Sequence, residues 1–477
     1  MTAQADYVAY RSSGGRAVIA AATLGTGMTM LDGTVVNVAL RTIGEQLGAS
    51  LAQLQWITNG YFLSLASLIL LGGALGDRFG RRRVFVIGTI SFAGASLACG
   101  LAPTSELLIF ARILQGAGGA LLVPGSLAMI QGAFAPSDRS AAIGAWVGLA
   151  GIATAMGPLI GGLLIDFASW RWIFLINVPV AVLAVVIAQR SVPESRDPHS
   201  ARGFDVSGSV LAVVALAGVT YALIEWAGGL GPAALGLGAI AGAAFVWVQR
   251  RSRHPLVPLS MFSNRTFSAA NFMTLLVYAA LGAILFFLVL QLQTVASYTA
   301  LQAGLATLPI TICMLALAAR GGRLAVRIGP RIPMSVGPLV MAAGTLWLLN
   351  VGPQTHYWVD VLPGLTVFGL GLALMVAPLT ATVLAATEDR HAGVASGVNN
   401  AISRTGSLLS VAALPVLVGL SGNDYAVPAV FDTGFERALI ACAALLVVGG
   451  LSSWLLIPAK LDDCRPDEAS TSAVAER

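Results

Sequence analysis

Long apolar segments, separated by short charged or Pro/Gly-rich stretches, run along the whole chain. Each segment is about 20 residues long, which lets a helix cross roughly 30 Å of hydrocarbon. The apolar runs are continuous rather than alternating, which excludes a membrane β-barrel. The segments begin near residues 17, 51, 84, 105, 141, 172, 206, 231, 267, 301, 332, 359, 392 and 435. This pattern predicts an all-α integral membrane protein with fourteen transmembrane helices.

Composition strengthens the membrane prediction. Of the 477 residues, 57% are hydrophobic and only 10% are charged. Soluble domains cannot bury that much apolar surface, so lipid is the expected surroundings.

Basic residues indicate the orientation of the helices. Of 27 Lys and Arg, we place Arg41, Arg171 and Arg437 on one side and Arg112 and Arg404 inside spans. The others fall on the opposite side, which is cytoplasmic by the positive-inside rule, with both termini there. The net charge of +5 therefore reflects orientation, and no nucleic-acid partner is expected.

A short repeat divides the chain into two halves. Five residues of the loop after span 2 recur at a constant offset in the loop after span 10. They are Gly73, Leu75, Arg78, Gly80 and Arg82, recurring as Gly322, Leu324, Arg327, Gly329 and Arg331. The repeat predicts two six-helix bundles related by pseudo-two-fold symmetry, with spans 7 and 8 inserted between them. The predicted parts are a cytoplasmic tail (1–16), an N-terminal bundle (17–190), a linker (191–205), the inserted pair (206–250), a C-terminal bundle (266–457) and a cytoplasmic tail (458–477).

Residues 73–82, GALGDRFGRR, resemble the loop signature of the major facilitator superfamily. Gly73 and Gly80 suit a tight turn, and Asp77 can form charge-assisted pairs with Arg78 and Arg81. The alternative is an ordinary positive-inside loop. The resemblance implies a conformational latch at the cytoplasmic side.

Residues 31–40, LDGTVVNVAL, resemble the signature of the fourteen-span drug:proton antiporters, the EmrB/QacA type of multidrug efflux transporter. Arg41 stands where that branch usually has proline. Residues 112–116 and 170–179 also resemble superfamily motifs, and residues 399–406 do so more loosely. The resemblance implies a bacterial plasma membrane protein that exports small apolar or cationic compounds.

Span 5 carries a glycine pattern that resembles the motif of exporting members. Its small residues allow close helix packing, and its proline lets the span bend. A general small-residue helix contact is the alternative. The residues are Gly148, Gly157, Pro158, Gly161 and Gly162.

Asp32 and Arg112 are the candidate proton-coupling pair. An ionised carboxylate is costly inside hydrocarbon, so Asp32 is expected to be protonated or paired with a cation. Both residues lie about 10 to 12 Å below the outer surface at 1.5 Å per residue, so they can meet. A fixed ion pair without a proton role remains the alternative.

Polar and aromatic residues in the apolar spans are candidates for a cargo cavity. For Trp56 and Glu225 an interfacial role is the alternative, and for Arg404 a structural one. The candidates are Asn37, Trp56, Asn59, Glu225, Asn271, Gln291, Asn400 and Arg404.

Other function classes fit less well. The four cysteines and four histidines are scattered, so neither a metal site nor an enzyme is predicted. No phosphate-binding loop of the G-x-x-x-x-G-K-[ST] type occurs, so the proton gradient rather than a cofactor is expected to drive transport. A monomer that lies in the lipid bilayer and binds a small-molecule substrate and protons is expected. An exporter of a metabolite, lipid or amino acid, an importer, and a membrane sensor remain open alternatives.

Overall fold

The structure is a computed structural model that describes residues 7–196, 205–252, 255–388 and 392–460. Parts of the predicted tails and of the 191–205 linker lie outside these residues. Within them the chain is helical and has no β-strand, which confirms the predicted all-α class.

The helices follow the predicted order closely. The first half comprises α1 Ser13–Leu47, α2 Leu51–Phe79, α3 Arg81–Leu101, α4 Ser105–Ala133, α5 Pro136–Phe167, α6 Trp172–Leu175 and α7 Asn177–Ser191. The inserted pair is α8 Val206–Ile224 and α9 Gly231–Arg251. The second half comprises α10 Arg265–Thr294, α11 Ala300–Ala306, α12 Leu308–Ile328, α13 Arg331–Trp347, α14 Leu362–Ala385, α15 Ala392–Leu417 and α16 Pro428–Leu456.

Thirteen helical segments of the described residues are long and apolar enough to cross a membrane. Two of them combine consecutive helices, α6 with α7 and α11 with α12. The remaining predicted span, which begins near residue 392, corresponds to α15, a helix of 26 residues that is not among the thirteen. Asn399, Asn400 and Arg404 lower the hydropathy of α15.

Local chemistry sets several helix ends. Ser50 and Gln53 form a capping box before α2, each side chain bonding the other residue's backbone N–H, which satisfies two donors at the helix start. The Thr104 side chain accepts the Leu107 N–H and so caps the start of α4. Gly48 ends α1 with φ 63°, a left-handed conformation that glycine adopts at little cost.

The two loops of the sequence repeat have matching structures. Gly80 follows α2 with φ 111° and Gly329 follows α12 with φ 84°. Arg82 donates from Nη1 to the Val192 carbonyl at 3.0 Å, just beyond α7. Arg331 donates from Nε to the Ile457 carbonyl at 2.7 Å, just beyond α16. The repeat predicted from sequence is therefore present in the geometry of both loops.

The described residues divide into two compact units. Unit 1 contains those of Met1–Leu256, Leu292–Leu305 and Gly419–Phe431. Unit 2 contains those of Val257–Gln291, Ala306–Val418 and Asp432–Arg477. Two segments from late in the chain thus belong to unit 1, which a simple division at the linker does not anticipate.

Close helix packing organises each unit. In unit 1, α4 packs against α2 and α3, while α1 packs against α5, α7 and α4. A Cβ on Gly116 would lie 2.2 Å from the Tyr61 carbonyl oxygen, so only glycine permits that approach of α4 to α2. In unit 2, α14 packs against α12 and α13. Unit 1 therefore brings α1, α3, α4 and α7 together, and the candidate site lies among them.

Candidate functional site

A buried ion pair joins α1 to α4. Asp32 is 0% exposed and Arg112 is 1% exposed, and Arg112 Nη1 donates to Asp32 Oδ2. The structure thus brings together the two residues that the depth argument had placed at one level. An unpaired charge is costly in apolar surroundings, and the ion pair avoids that cost for both residues.

The second carboxylate oxygen accepts two side-chain amides. Gln115 Nε2 donates to Asp32 Oδ1 at 2.8 Å, and Asn177 Nδ2 lies 3.4 Å from the same oxygen. Both amides also donate to Ser96 Oγ at 3.0 Å, whose hydroxyl donates to the Phe174 carbonyl at 2.9 Å. We name Asp32, Ser96, Arg112, Gln115 and Asn177 the Asp32 network.

Other contacts fix the Arg112 guanidinium. Its Nε donates to the Ile57 carbonyl at 3.0 Å, and Nη1 also donates to Gln115 Oε1 at 2.6 Å. Its Cζ lies 4.3 Å from the centroid of the Tyr61 ring, and the Tyr61 hydroxyl donates to the Thr29 carbonyl at 3.0 Å. A planar guanidinium suits this combination of hydrogen bonds and stacking better than an ammonium.

Every hydrogen bond to the Asp32 carboxylate is donated to it. The ionised form is therefore fully partnered, whereas a protonated carboxyl would need an acceptor for its own hydrogen. Gln115 Oε1 already accepts from Arg112 and from the Cys99 thiol at 3.6 Å. Protonation of Asp32 thus requires the Asp32 network to rearrange.

The residues of the predicted latch make fewer contacts with one another than expected. Asp77 Oδ1 accepts from Arg81 Nη2 at 2.9 Å, while the exposed Arg78 guanidinium lies 5.4 Å from the centroid of its neighbour Phe79. Gly80 forms the turn, but Gly73 lies inside α2 with room for a Cβ, 3.7 Å from Pro124 Cβ. The expected turn role of Gly73 is therefore wrong, because α2 continues six residues past it.

Sequence analysis missed Glu194 as a partner of this loop. Its carboxylate accepts from the backbone N–H groups of Arg82 at 3.1 Å and Arg83 at 3.2 Å, at the start of α3. The Arg81 N–H donates to the Ser195 carbonyl at 3.0 Å. A carboxylate at a helix N-terminus is favourable. The sequence signal for this contact was that Glu194 and Ser195 lie in a polar stretch after span 6.

The span 5 glycines contact different neighbours. A Cβ would lie 2.2 Å from Thr34 Oγ1 on Gly157 and 2.4 Å from Val35 Cγ2 on Gly161, both on α1. On Gly162 it would lie 2.4 Å from Leu301 Cα. Gly148 has no atom within 4 Å of that position, so the packing expected of it is absent among the described residues.

Pro158 and Asp166 extend this packing in unit 1. A Cβ on Gly304 would lie 2.3 Å from the Pro158 carbonyl oxygen. Asp166, missed by sequence analysis, accepts from the N–H groups of Ala300 at 3.2 Å and Leu301 at 2.9 Å. The end of α5 is therefore attached to the beginning of α11.

The first-half cavity candidates fall into two groups. Asn59 is 0% exposed. Neither polar atom of its side chain has a hydrogen-bond partner among the described residues. Asn37 Oδ1 also has no partner among them. Trp56 instead lies with its ring centroid 6.3 Å from that of Tyr221 on α8. Glu225 is the C-cap residue of α8.

The second-half candidates do not form one group. Asn271 lines a cavity of about 270 Å³ in unit 2, but Gln291, Asn400 and Arg404 do not. The cavity is lined by Phe262, Ser268, Asn271, Phe272, Leu275, Ile402 and Thr405. Gln291 instead donates to the Val351 carbonyl at 3.1 Å and to Asp432 Oδ1, an acid that sequence analysis missed because it preceded the apolar run.

Comparisons with known proteins give a family match and similar proteins of known role. A family model described as Major Facilitator Superfamily matches residues 22–411. The methylenomycin A resistance protein of Streptomyces coelicolor is 35% identical over 465 residues, covering 96% of this chain and 94% of that protein. The tetracenomycin C resistance and export protein of Streptomyces glaucescens is 36% identical over 418 residues, covering 85% and 76%.

Solved structures show the same fold at low sequence identity. A bacterial homologue of the human drug peptide transporters superposes with a TM-score of 0.68 at 13% identity, covering 94% of this chain and 99% of that one. At that identity the similarity concerns the arrangement of helices alone.

Proposed function

Because the chain belongs to the Major Facilitator Superfamily, whose members transport small molecules across membranes, we propose that it exports small apolar or cationic compounds in exchange for protons. Antibiotics and other drugs are the expected cargo. The names of the two relatives, which refer to antibiotic resistance and export, support this class. The observation that carries the proton coupling is the fully buried Asp32 network.

Asp32 is the proton carrier in this proposal. A proton that reaches the carboxylate from outside bonds to one oxygen and removes the charge that holds Arg112. The ion pair then opens, and cationic cargo competes with the proton for the same carboxylate. When the proton leaves to the cytoplasm, the pair re-forms. Transport follows because a single buried charge is costly and each state favours a different helix arrangement.

Asn37 and Asn59 are the proposed polar contacts of the cargo. A buried amide without a partner costs about 1–3 kcal/mol, so the unpartnered side-chain atoms of these residues are suited to receive a ligand. Trp56 packs on the inserted pair and can add an aromatic face. Apolar walls with few polar groups are typical of small-molecule sites.

We place the protein in the bacterial plasma membrane as a monomer, with both termini in the cytoplasm. The distribution of arginines among the loops supports this orientation. The proton gradient takes the place of a cofactor, and the cargo leaves chemically unchanged.

Dye transport in liposomes tests the proposal. Purified protein reconstituted into vesicles with an acidic interior is expected to take up ethidium while protons leave. Asp32→Asn should lower the proton-driven rate at least tenfold, because an amide cannot carry the proton. Asp360→Asn is the matched control, since the Asp360 carboxylate accepts the His356 N–H of its own turn at 2.7 Å. Unchanged transport by Asp32→Asn under a pH gradient would overturn the proposed coupling.

A further inference from the structure

Asn177 is a polar residue at the first position of α7, following the break after α6. The residue as a whole is 2% exposed. It bonds Ser96 on α3 and approaches Asp32 on α1, and it is not the N-cap residue of α7. A plain helix-start role does not account for these contacts.

We infer that Asn177 is a positioning residue for the proton carrier, which it holds in its ionised form together with Gln115 until a proton arrives. This inference rests on the proposed function and names a residue that sets the pH at which Asp32 takes up its proton.

The direction of the effect follows from the count of donors. Asp32 Oδ1 accepts from Gln115 and Asn177, and Oδ2 accepts from Arg112. A hydrogen bond donated to a carboxylate favours its charged form. Without the Asn177 amide, Oδ1 keeps one donor, so the carboxyl takes up its proton at a higher pH.

Ser96 keeps the Asn177 amide in place. Its hydroxyl donates to the Phe174 carbonyl and therefore presents its lone pairs to both amides at 3.0 Å. Rotating Asn177 away from Asp32 breaks the bond to Ser96 as well. The position of the amide is thus fixed by its contacts with α1 and α3.

The ionisable groups around the carboxylate come from three other helices. They are Arg112 on α4, Cys99 on α3, which bonds Gln115, and Tyr61 on α2, which stacks on Arg112. From α5 and α7, which also pack against α1, no ionisable side chain of the described residues bonds Asp32. Asn177 is thus the contribution of α7 to the electrostatics of the carboxylate.

Infrared spectroscopy of the purified protein in lipid tests the inference without any cargo. The carbonyl stretch of protonated Asp32 is identified as the band that Asp32→Asn lacks, and it is followed during a pH titration. In Asn177→Leu the midpoint of this band should rise by about one pH unit, the size expected for one hydrogen bond to a charged group. Ser96→Ala should raise it less, and it provides a second test if Asn177→Leu does not fold.

Thr89→Val is the matched control. Thr89 is a fully buried polar residue of α3 whose hydroxyl bonds the Phe85 carbonyl of its own helix at 2.8 Å. The inference is overturned if Thr89→Val shifts the midpoint as much as Asn177→Leu, or if a folded Asn177→Leu leaves it unchanged. If the Asp32 band titrates with an unchanged midpoint in Asn177→Leu, only the role of Asn177 is overturned. If the Asp32 band never appears at any pH, the proton-carrier role is overturned too.

Discussion

At the scale of single residues, the candidate site depends on one charge balancing another. Arg112 and Asp32 are both almost inaccessible to solvent, and the hydrogen bonds around them hold the guanidinium against Tyr61. Removing one partner of such a pair is much more damaging than removing both, because the remaining charge is left in apolar surroundings.

A double-mutant cycle on this pair measures that difference. Arg112→Met should lower the free energy of unfolding by about 3–5 kcal/mol, since Asp32 loses its counter-charge. Asp32→Asn combined with Arg112→Met should recover part of the loss, because the amide carries no charge. Thermal unfolding of Arg112→Met, Asp32→Asn and the double variant in lipid nanodiscs provides the measurement, and a double variant less stable than Arg112→Met would contradict this account.

Sequence could predict the charged pair but not its amide partners. Acids and bases are rare in apolar spans, so Asp32 and Arg112 stand out, and the helical rise places them at one depth. Gln115 and Asn177 lie in segments that resemble superfamily motifs, but only the crossing of the helices shows that they and Ser96 reach the carboxylate. Their role depends on tertiary contacts that no local pattern encodes.

At the scale of helices, the hydrophobic pattern predicted which helices exist better than it predicted the residues at which they begin. Six of the starts coincide with observed helix starts, including Leu51 and Val206. The last helix begins at Pro428, seven residues before the predicted start. Asp432 lies in the missed stretch and interrupts its apolar residues, so the apolar run was recognised too late. Charged residues at a helix end hide it from a search for apolar runs.

The start of the inserted pair depends on Asp205, the N-cap of α8. Burial by itself raises the pKa of Asp205, but hydrogen bonds from the Gly208 N–H, Gln249 and Ser207 outweigh it and leave this pKa below its ordinary value. A lowered pKa means that the charged form stabilises the fold, with the benefit lost as the pH falls through that pKa.

Asp205→Ala should therefore destabilise the first turn of α8 by about 1–2 kcal/mol at neutral pH. The difference from the unaltered protein should shrink below about pH 4, as Asp205 becomes protonated. Amide hydrogen exchange of Gly208 and Ser209 reports the change. Asp205→Asn is the control, because asparagine caps a helix without titrating, so a strong pH dependence of its exchange rates relative to Asp205→Ala would be inconsistent with this cause.

At the scale of the whole molecule, the repeat and the units describe different divisions of the chain. The 249-residue offset relates two loops with glycines of positive φ. The compact units, however, place residues 292–305 and 419–431 with the first half. Sequence shows the repeat because it is written in residue identities, whereas the assignment of loop segments arises only from packing.

The span 5 glycines allow a test of this packing. Gly162→Ala should destabilise unit 1 by about 1–3 kcal/mol, since its Cβ meets the Leu301 backbone at 2.4 Å and neither backbone can give way easily. Gly148→Ala, on the same helix, should be neutral or stabilise the helix by up to about 1 kcal/mol, because the position is open and alanine favours helices. Thermal unfolding compares the two, and equal losses of stability would show that the packing at Leu301 is unimportant.

The membership of residues 419–431 in unit 1 has a consequence for biosynthesis. Leu51 N–H bonds the Gly422 carbonyl at 2.7 Å, and the Tyr425 hydroxyl bonds the Ala49 carbonyl at 2.8 Å. A nascent chain that has released only its first seven or eight helices from the ribosome lacks these contacts. The loop between α1 and α2 must wait for nearly the whole polypeptide to be translated before its last hydrogen bonds can form.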